Sequence, residues 1–275
     1  MSALPTPPYD AVMPVAEQRV MVALMVPAVA VALVLAARSW RRDHDAVPAL
    51  CLAGGGVCVF LEPIIDVLGG CWYPSHGQQA TVLNTLGRPI PWWALLGYVM
   101  YMGGGTLVAE RAVRRFSPSI VWRLFPAIAA FEMVFEFWAV QTGTYVYYGN
   151  QPLELFDFPL WWAFVNTSVP LVAGLVIARC RPLLVGRSAF ALVLLIPTID
   201  AAANFSSAWP TYNVIGSDAP MLVGQPAGIL TCALALGTVA LAVKLCGRCP
   251  GTLPGNHAAT EARVTDGADF GVGTP

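Results

Sequence analysis

The chain has 275 residues, 57% of them hydrophobic and 11% charged, with a net charge of −1. A soluble domain carries about 25% charged residues, so an ordinary soluble globule is excluded. The informative quantity is where the few charges sit. Apolar runs of about 20 residues recur at 19–38, 47–69, 91–109, 120–141, 159–178, 188–204 and 221–244. Each is long enough to cross a ~30 Å hydrocarbon core. The expected fold is an all-α, polytopic transmembrane bundle of about seven spans. It divides into a polar N-terminal segment (1–18), a transmembrane domain (19–245) and a disordered cytoplasmic tail (246–275).

Residues 1–18 are Pro-rich and polar with no basic leader, so no cleavable signal peptide is expected. The first span contains Pro27 and no buried charge, and reads as a packing helix. The second contains Gly54-Gly55-Gly56 and the third Gly103-Gly104-Gly105. Glycine lets helices approach closely in a membrane, so both triplets read as packing faces. Neither follows a strand or a phosphate-loop pattern, and no nucleic-acid partner is expected.

The second span ends in LEPIIDVLGGCWYP (Leu61 to Pro74), which places Glu62 and Asp66 four residues apart, on one helix face. The loop that follows carries Trp72, Tyr73, His76, Asn84 and Arg88, and the third span enters through Trp92 and Trp93. Glu132 and Glu136 repeat the spacing in the fourth span, ahead of an aromatic loop with Tyr145 and Tyr147. The fifth span enters through Trp161 and Trp162 and contains Asn166. Asp200 and Asn204 make a third pair near the expected end of the sixth span, before Trp209, Pro210 and Tyr212. Spans 2–3, 4–5 and 6–7 thus read as three hairpins on one plan, as in parallel repeats. Trp and Tyr at span ends also belong to ordinary interfacial belts.

Arg38, Arg41, Arg42, Arg111, Arg114, Arg115, Arg179, Arg181, Arg187, Lys244 and Arg248 follow the odd-numbered spans, while only Arg19 and Arg88 fall on the other side. The positive-inside rule places the N-terminus outside and the C-terminus in the cytoplasm, and a multi-pass protein of a plasma membrane is expected. Cys246 and Cys249 read as incidental, no disulfide framework is implied, and the oligomeric state is left open.

A charge at the bilayer centre costs about 2.5–3.5 kcal/mol, so five acids in the spans call for a function. For any one of them the alternative is a neutral structural carboxyl bonded to a Tyr, Trp or Asn on a neighbouring helix. As a set they are expected to form one non-cytoplasmic site. Carboxyls sharing a site of low polarity can divide into proton donor and acceptor, and aromatic faces stabilise a developing cation. This suits cyclisation, dehydration or isomerisation. Three histidines are too few for a histidine-rich metal site, Arg88 is the sole outer-loop base for phosphates, and no GxSxG nucleophile is present. No metal and no cofactor are expected.

EPIIDVLGGCWYP, LGRPIPWWALLGYVMYMGG (Leu86 to Gly104), FEMVFEFWAVQTGTYVYYG (Phe131 to Gly149) and FPLWWAFVN (Phe158 to Asn166) resemble the avermectin-type spirocyclase family of actinobacterial membrane proteins. The likeness covers about Glu62 to Trp209. It implies closure of a linear dihydroxyketone polyketide to a spiroketal, with dehydration in some members. Under this reading Glu62 and Asp66 transfer protons, and Glu132, Glu136 and Asp200 share or tune that role. Trp72, Tyr73, Arg88, Trp92, Tyr145, Tyr147, Trp161, Asn166 and Asn204 bind a lipophilic substrate. The alternatives are a membrane terpenoid cyclase using the same acids, and a proton-coupled transporter or lipid-binding protein.

Overall fold

The computed structural model describes residues 5–217 and 219–247; Arg248, Cys249, His257 and the others at 248–275 of the expected tail lie outside them, while Cys246 ends the last helix. The chain is mostly helical: α1 (Val15–Asp43), α2 (Val47–Val57), α3 (Glu62–Gly69), α4 (Trp92–Tyr98), α5 (Gly105–Arg115), α6 (Val121–Gln141), α7 (Trp161–Cys180), α8 (Leu192–Ile215) and α9 (Met221–Cys246). Among the described residues four stretches are long and apolar enough to cross a membrane: Val15–Asp43, Trp161–Leu183, Gly186–Ile215 and Met221–Cys246. A fifth is the bent pair Val47–Phe60 and Glu62–Gly69. Helix also covers the predicted spans 91–109 and 120–141.

Three elements depart from the expected rods. The second span breaks by 48° between Phe60 and Glu62. Pro63 lacks an N–H and its ring meets the carbonyl four residues back, so the helix restarts there and Glu62 falls in a first turn. In the third, Val99–Gly104 between α4 and α5 forms a π-helical turn. The sixth does not stop at 204: α8 continues through Pro210 to Ile215. Neighbouring helices and hydroxyls can take up the groups a membrane proline frees. Asp200 therefore lies within a long helix, and Trp209, Pro210 and Tyr212 belong to it instead of to an aromatic loop. The hairpin plan survives in the first two copies only.

The chain is also not purely α. Its loops hold β1 (Cys71–Trp72), β2 (Thr81–Thr85), β3 (Arg88–Pro91), β4 (Val146–Tyr147), β5 (Glu154–Leu155) and β6 (Phe158–Pro159). β2–β3 and β5–β6 are antiparallel pairs within their loops. The β1–β4 pair joins the two loops, setting Cys71 opposite Tyr147 and Trp72 opposite Val146. The N-terminal segment is docked against this layer. Met13 N–H donates to His76 O (2.7 Å). The buried Gln18 side chain donates to Gly77 O (2.9 Å) and accepts from Gln79 N–H (3.0 Å).

α7 is the axis, packed by α5, α6, α8 and α9. Its apolar window is 72% buried against 11% for α1, which leaves Leu24, Val31 and Leu33 of α1 exposed, as a lipid-facing surface requires. At the opposite end from the loops, Arg181 joins Asp45 and Glu110, holding α2, α5 and the end of α7 together.

The glycine triplets, read from the sequence as packing faces, pack on each other. A Cβ on Gly55 would stand 2.4 Å from Gly103 N, and one on Gly103 would stand 2.8 Å from both Cys51 O and Leu52 Cα. These neighbours are backbone and cannot step aside. Gly103→Val is therefore expected to destabilise the protein by about 1–3 kcal/mol or more, read as a lower unfolding temperature in detergent. A Gly103→Val protein as stable as the unmodified one would mean that α2 and the π turn do not touch.

Candidate functional site

A cavity of about 570 Å³ opens among α1, α3, α4, the π turn, α6, α7 and α8. All five acids of the expected site line it: Glu62 and Asp66 from α3, Glu132 and Glu136 from α6, Asp200 from α8. Each is at least nine-tenths buried. Tyr73, Tyr145, Tyr147, Asn166 and Asn204 line it as well. The spacing of four works here as expected, because it turns both members of each pair to one face.

The acids are held in two different ways. Each glutamate is fixed by tyrosine. Tyr73 Oη donates to Glu62 Oε1 (2.8 Å) and Tyr98 Oη to Glu62 Oε2. Tyr101 Oη and Asn166 Nδ2 (2.6 Å) donate to the two oxygens of Glu132, and Tyr147 Oη donates to Glu136 Oε2 (3.0 Å). For the glutamates, then, the structural-carboxyl alternative has its partners in place. The aspartates differ. Asp200 Oδ1 accepts from Asn204 Nδ2 (2.8 Å), while Asp200 Oδ2 has no partner. Asp66 is 2% exposed and its Oδ2 has no partner either. A buried carboxylate oxygen without a partner, on a residue that lines a cavity, calls for a functional explanation.

The loop strands explain how the phenols arrive. β1–β4 pairing brings the first two loops together, so Tyr73 lies 5.3 Å from Tyr145, and Tyr145 lies 6.0 Å from Tyr147, ring centre to ring centre. Burial first, and then the neighbouring carboxylates, push the phenols of Tyr73, Tyr145 and Tyr147 well above the ordinary tyrosine range. They remain protonated donors at any physiological pH.

Four residues expected to bind substrate lie elsewhere. The wall is made by Trp93 and Trp162, not by their neighbours Trp92 and Trp161. One residue of helix turns the side chain by about 100°, and the sequence of a Trp-Trp pair does not reveal which ring points inward. Trp161 backs the wall, stacked on Trp162 at 4.1 Å. Trp162 in turn lies on Gly69, where a Cβ would come within 2.2 Å of the indole. Trp72 and Arg88 face the other side of the loop layer, with the Arg88 guanidinium 5.4 Å from the Trp72 ring.

Tyr98 and Tyr101 were not singled out from the sequence, yet they hold Glu62 and Glu132. Their spacing of three beside a glycine triplet was the available signal. The π turn beginning at Val99 widens the helix there, and such turns frequently mark functional sites. The remaining wall is apolar. It includes Leu24, Val108 and Phe131, which are also exposed on the outside of the bundle (63%, 56% and 66%), so the cavity reaches the apolar outer surface of the bundle. Among the described residues no three His, Cys, Asp or Glu side chains are placed to share a metal ion.

Compared with known proteins, the chain matches no family model, no curated protein and no solved structure.

Proposed function

We propose that this protein is a membrane-embedded enzyme that cyclises or dehydrates a lipophilic substrate by carboxyl acid–base chemistry without a cofactor. The observation that carries this is the meeting of five acids in one apolar cavity, with one oxygen of Asp66 left without a hydrogen bond. The proposal includes seven spans, the N-terminus outside and the C-terminus cytoplasmic, which the placement of Lys and Arg supports.

On the spirocyclase-like reading, protonated Asp66 gives its proton to the ketone oxygen while one substrate hydroxyl attacks the carbonyl carbon. That hydroxyl's proton passes to a neighbouring carboxylate. The hemiketal oxygen is then protonated and leaves as water, forming an oxocarbenium ion. The second hydroxyl adds to it, its proton returns to a carboxylate, and the spiroketal is one water lighter than its precursor. Trp93, Trp162 and the tyrosines offer faces to the cation. Glu62, Glu132 and Glu136, already bonded, keep the charge of the site constant. Substrate enters from the bilayer past Leu24, Val108 and Phe131.

A transporter would need polar groups running on to the Glu110 end. Along α2 and α5, buried Cys51, Leu52 and Leu107 intervene, and Thr106 is the one buried polar side chain of α5 before Glu110. The test is the full-length chain in lipid nanodiscs with a linear dihydroxyketone, beside metabolite profiles of cells with and without the protein. A product lighter by one water is expected. Accumulation of an uncyclised isoprenoid in deletion cells would replace this substrate with a terpenoid one, and no change in either assay would remove the enzymatic reading.

A further inference from the structure

A second cavity of about 280 Å³ lies behind the loop layer, bordered by Pro5, Thr6, Tyr9, Val67, Leu86 and Arg88 among others. It is separate from the acid cavity: on α3, Asp66 lines one and Val67 the other. Arg88 is 6% exposed. Its guanidinium lies between two aromatic faces, 5.4 Å from the Trp72 ring and 5.5 Å from that of Tyr148, and Tyr148 Oη is the only acceptor it meets among the described residues. Nε and Nη1 are buried without partners, and no carboxylate lies within ion-pair distance (the ion pairs of the described residues involve Arg114 and Arg181).

A desolvated guanidinium with two of its three nitrogens unbonded is among the least favourable arrangements a fold can hold. Arginine is also the residue that binds phosphate and carboxylate oxygens best, and stacking between rings fixes its plane in advance. We infer that Arg88 heads a second site that takes an oxyanion of the phosphodiester type, with the hydroxyl of Thr6 at hand as a further donor. Leu86 and Tyr9 border the same pocket and are 65% and 58% exposed. They give an attached acyl chain apolar surface to lie on, which favours an anionic phospholipid headgroup over free phosphate. This inference stands apart from the chemistry proposed for the acid cavity.

The full-length chain in detergent micelles is titrated with dioleoylphosphatidylglycerol, dioleoylglycerol or inorganic phosphate, and its unfolding temperature is followed. Phosphatidylglycerol is expected to raise that temperature by several degrees and dioleoylglycerol to leave it unchanged. Arg88→Gln abolishes the response, and Arg88→Lys, which keeps the charge but loses the planar fork, weakens binding by about tenfold. An equal rise with inorganic phosphate alone assigns the site to the free anion and keeps the oxyanion chemistry. Should Arg88→Gln not fold, Trp72→Leu, which removes one face of the sandwich, weakens the phosphatidylglycerol response instead. The inference fails if dioleoylglycerol acts like phosphatidylglycerol, if neither anion shifts the unmodified protein, or if both the Arg88 and the Trp72 variants respond undiminished.

Discussion

Asp66→Asn is expected to stop turnover and leave the fold intact. Asparagine keeps the shape of the side chain but cannot exchange a proton at neutral pH. A positioned proton carrier contributes about 10²–10⁴-fold to rate, and a loss of that order is expected in single-turnover assays of the full chain. Stability is expected to change little, by less than ~1 kcal/mol, because Asp66 Oδ2 has no hydrogen bond to lose. Glu62→Gln makes the contrast. It takes a carboxyl from between Tyr73 and Tyr98, so it lowers stability along with rate. If Asp66→Asn turns over at more than about a tenth of the unmodified rate, well inside the range for such a group, Asp66 is not the proton carrier. If it unfolds instead, its role is structural.

The parts of this site legible in the sequence are those that depend on local periodicity. A spacing of four puts Glu62 beside Asp66 and Glu132 beside Glu136 whatever the rest of the fold does. Two glycine triplets in apolar runs have little use except close packing, and Gly55 and Gly103 do meet. The break before Pro63 was not read from the sequence, although that proline cannot continue the hydrogen bonding of the turn before it.

What was not legible depends on phase and on long-range pairing. The π turn after Tyr98 shifts the phase of its span, so no helical wheel drawn through it places Tyr98 and Tyr101 correctly. Trp93 faces the cavity and Trp92 does not, because the strand pair ending at Pro91 sets where α4 begins. Pro210 reads as a helix end in water, and only the surrounding bundle lets α8 run on to Ile215. Arg88 reads as substrate-binding in the sequence; in the structure it stands on β3, bonded to Tyr148 and lining the second cavity instead of the acid one. The causes differ in range: the phase of α4 and of the π turn is set within some ten residues, whereas Arg88 is placed by a contact 60 positions away, with Tyr148.

Gly97→Phe separates occupancy of the cavity from integrity of the fold. Gly97 is in α4 and lines the cavity; a Cβ there would meet only Met25, at 3.5 Å from Cε and 3.9 Å from Sδ, which is ordinary contact. Glycine costs roughly 1 kcal/mol relative to alanine inside a helix, so Gly97→Ala is expected to stabilise the protein slightly and keep its activity. Phenylalanine recovers part of the same helix propensity but extends into the space a substrate would fill. Turnover is then expected to fall by roughly 10²-fold or more, since displacement of a reacting group by even 1 Å has that effect. The unfolding temperature should match or exceed that of the unmodified chain. Gly103, six residues further along the same span, responds in the opposite sense because backbone stands against it. Two glycines, one span and opposite signs make the pair diagnostic. A Gly97→Phe protein that is stable and fully active would place the chemistry outside this cavity, whatever the acids around it are doing.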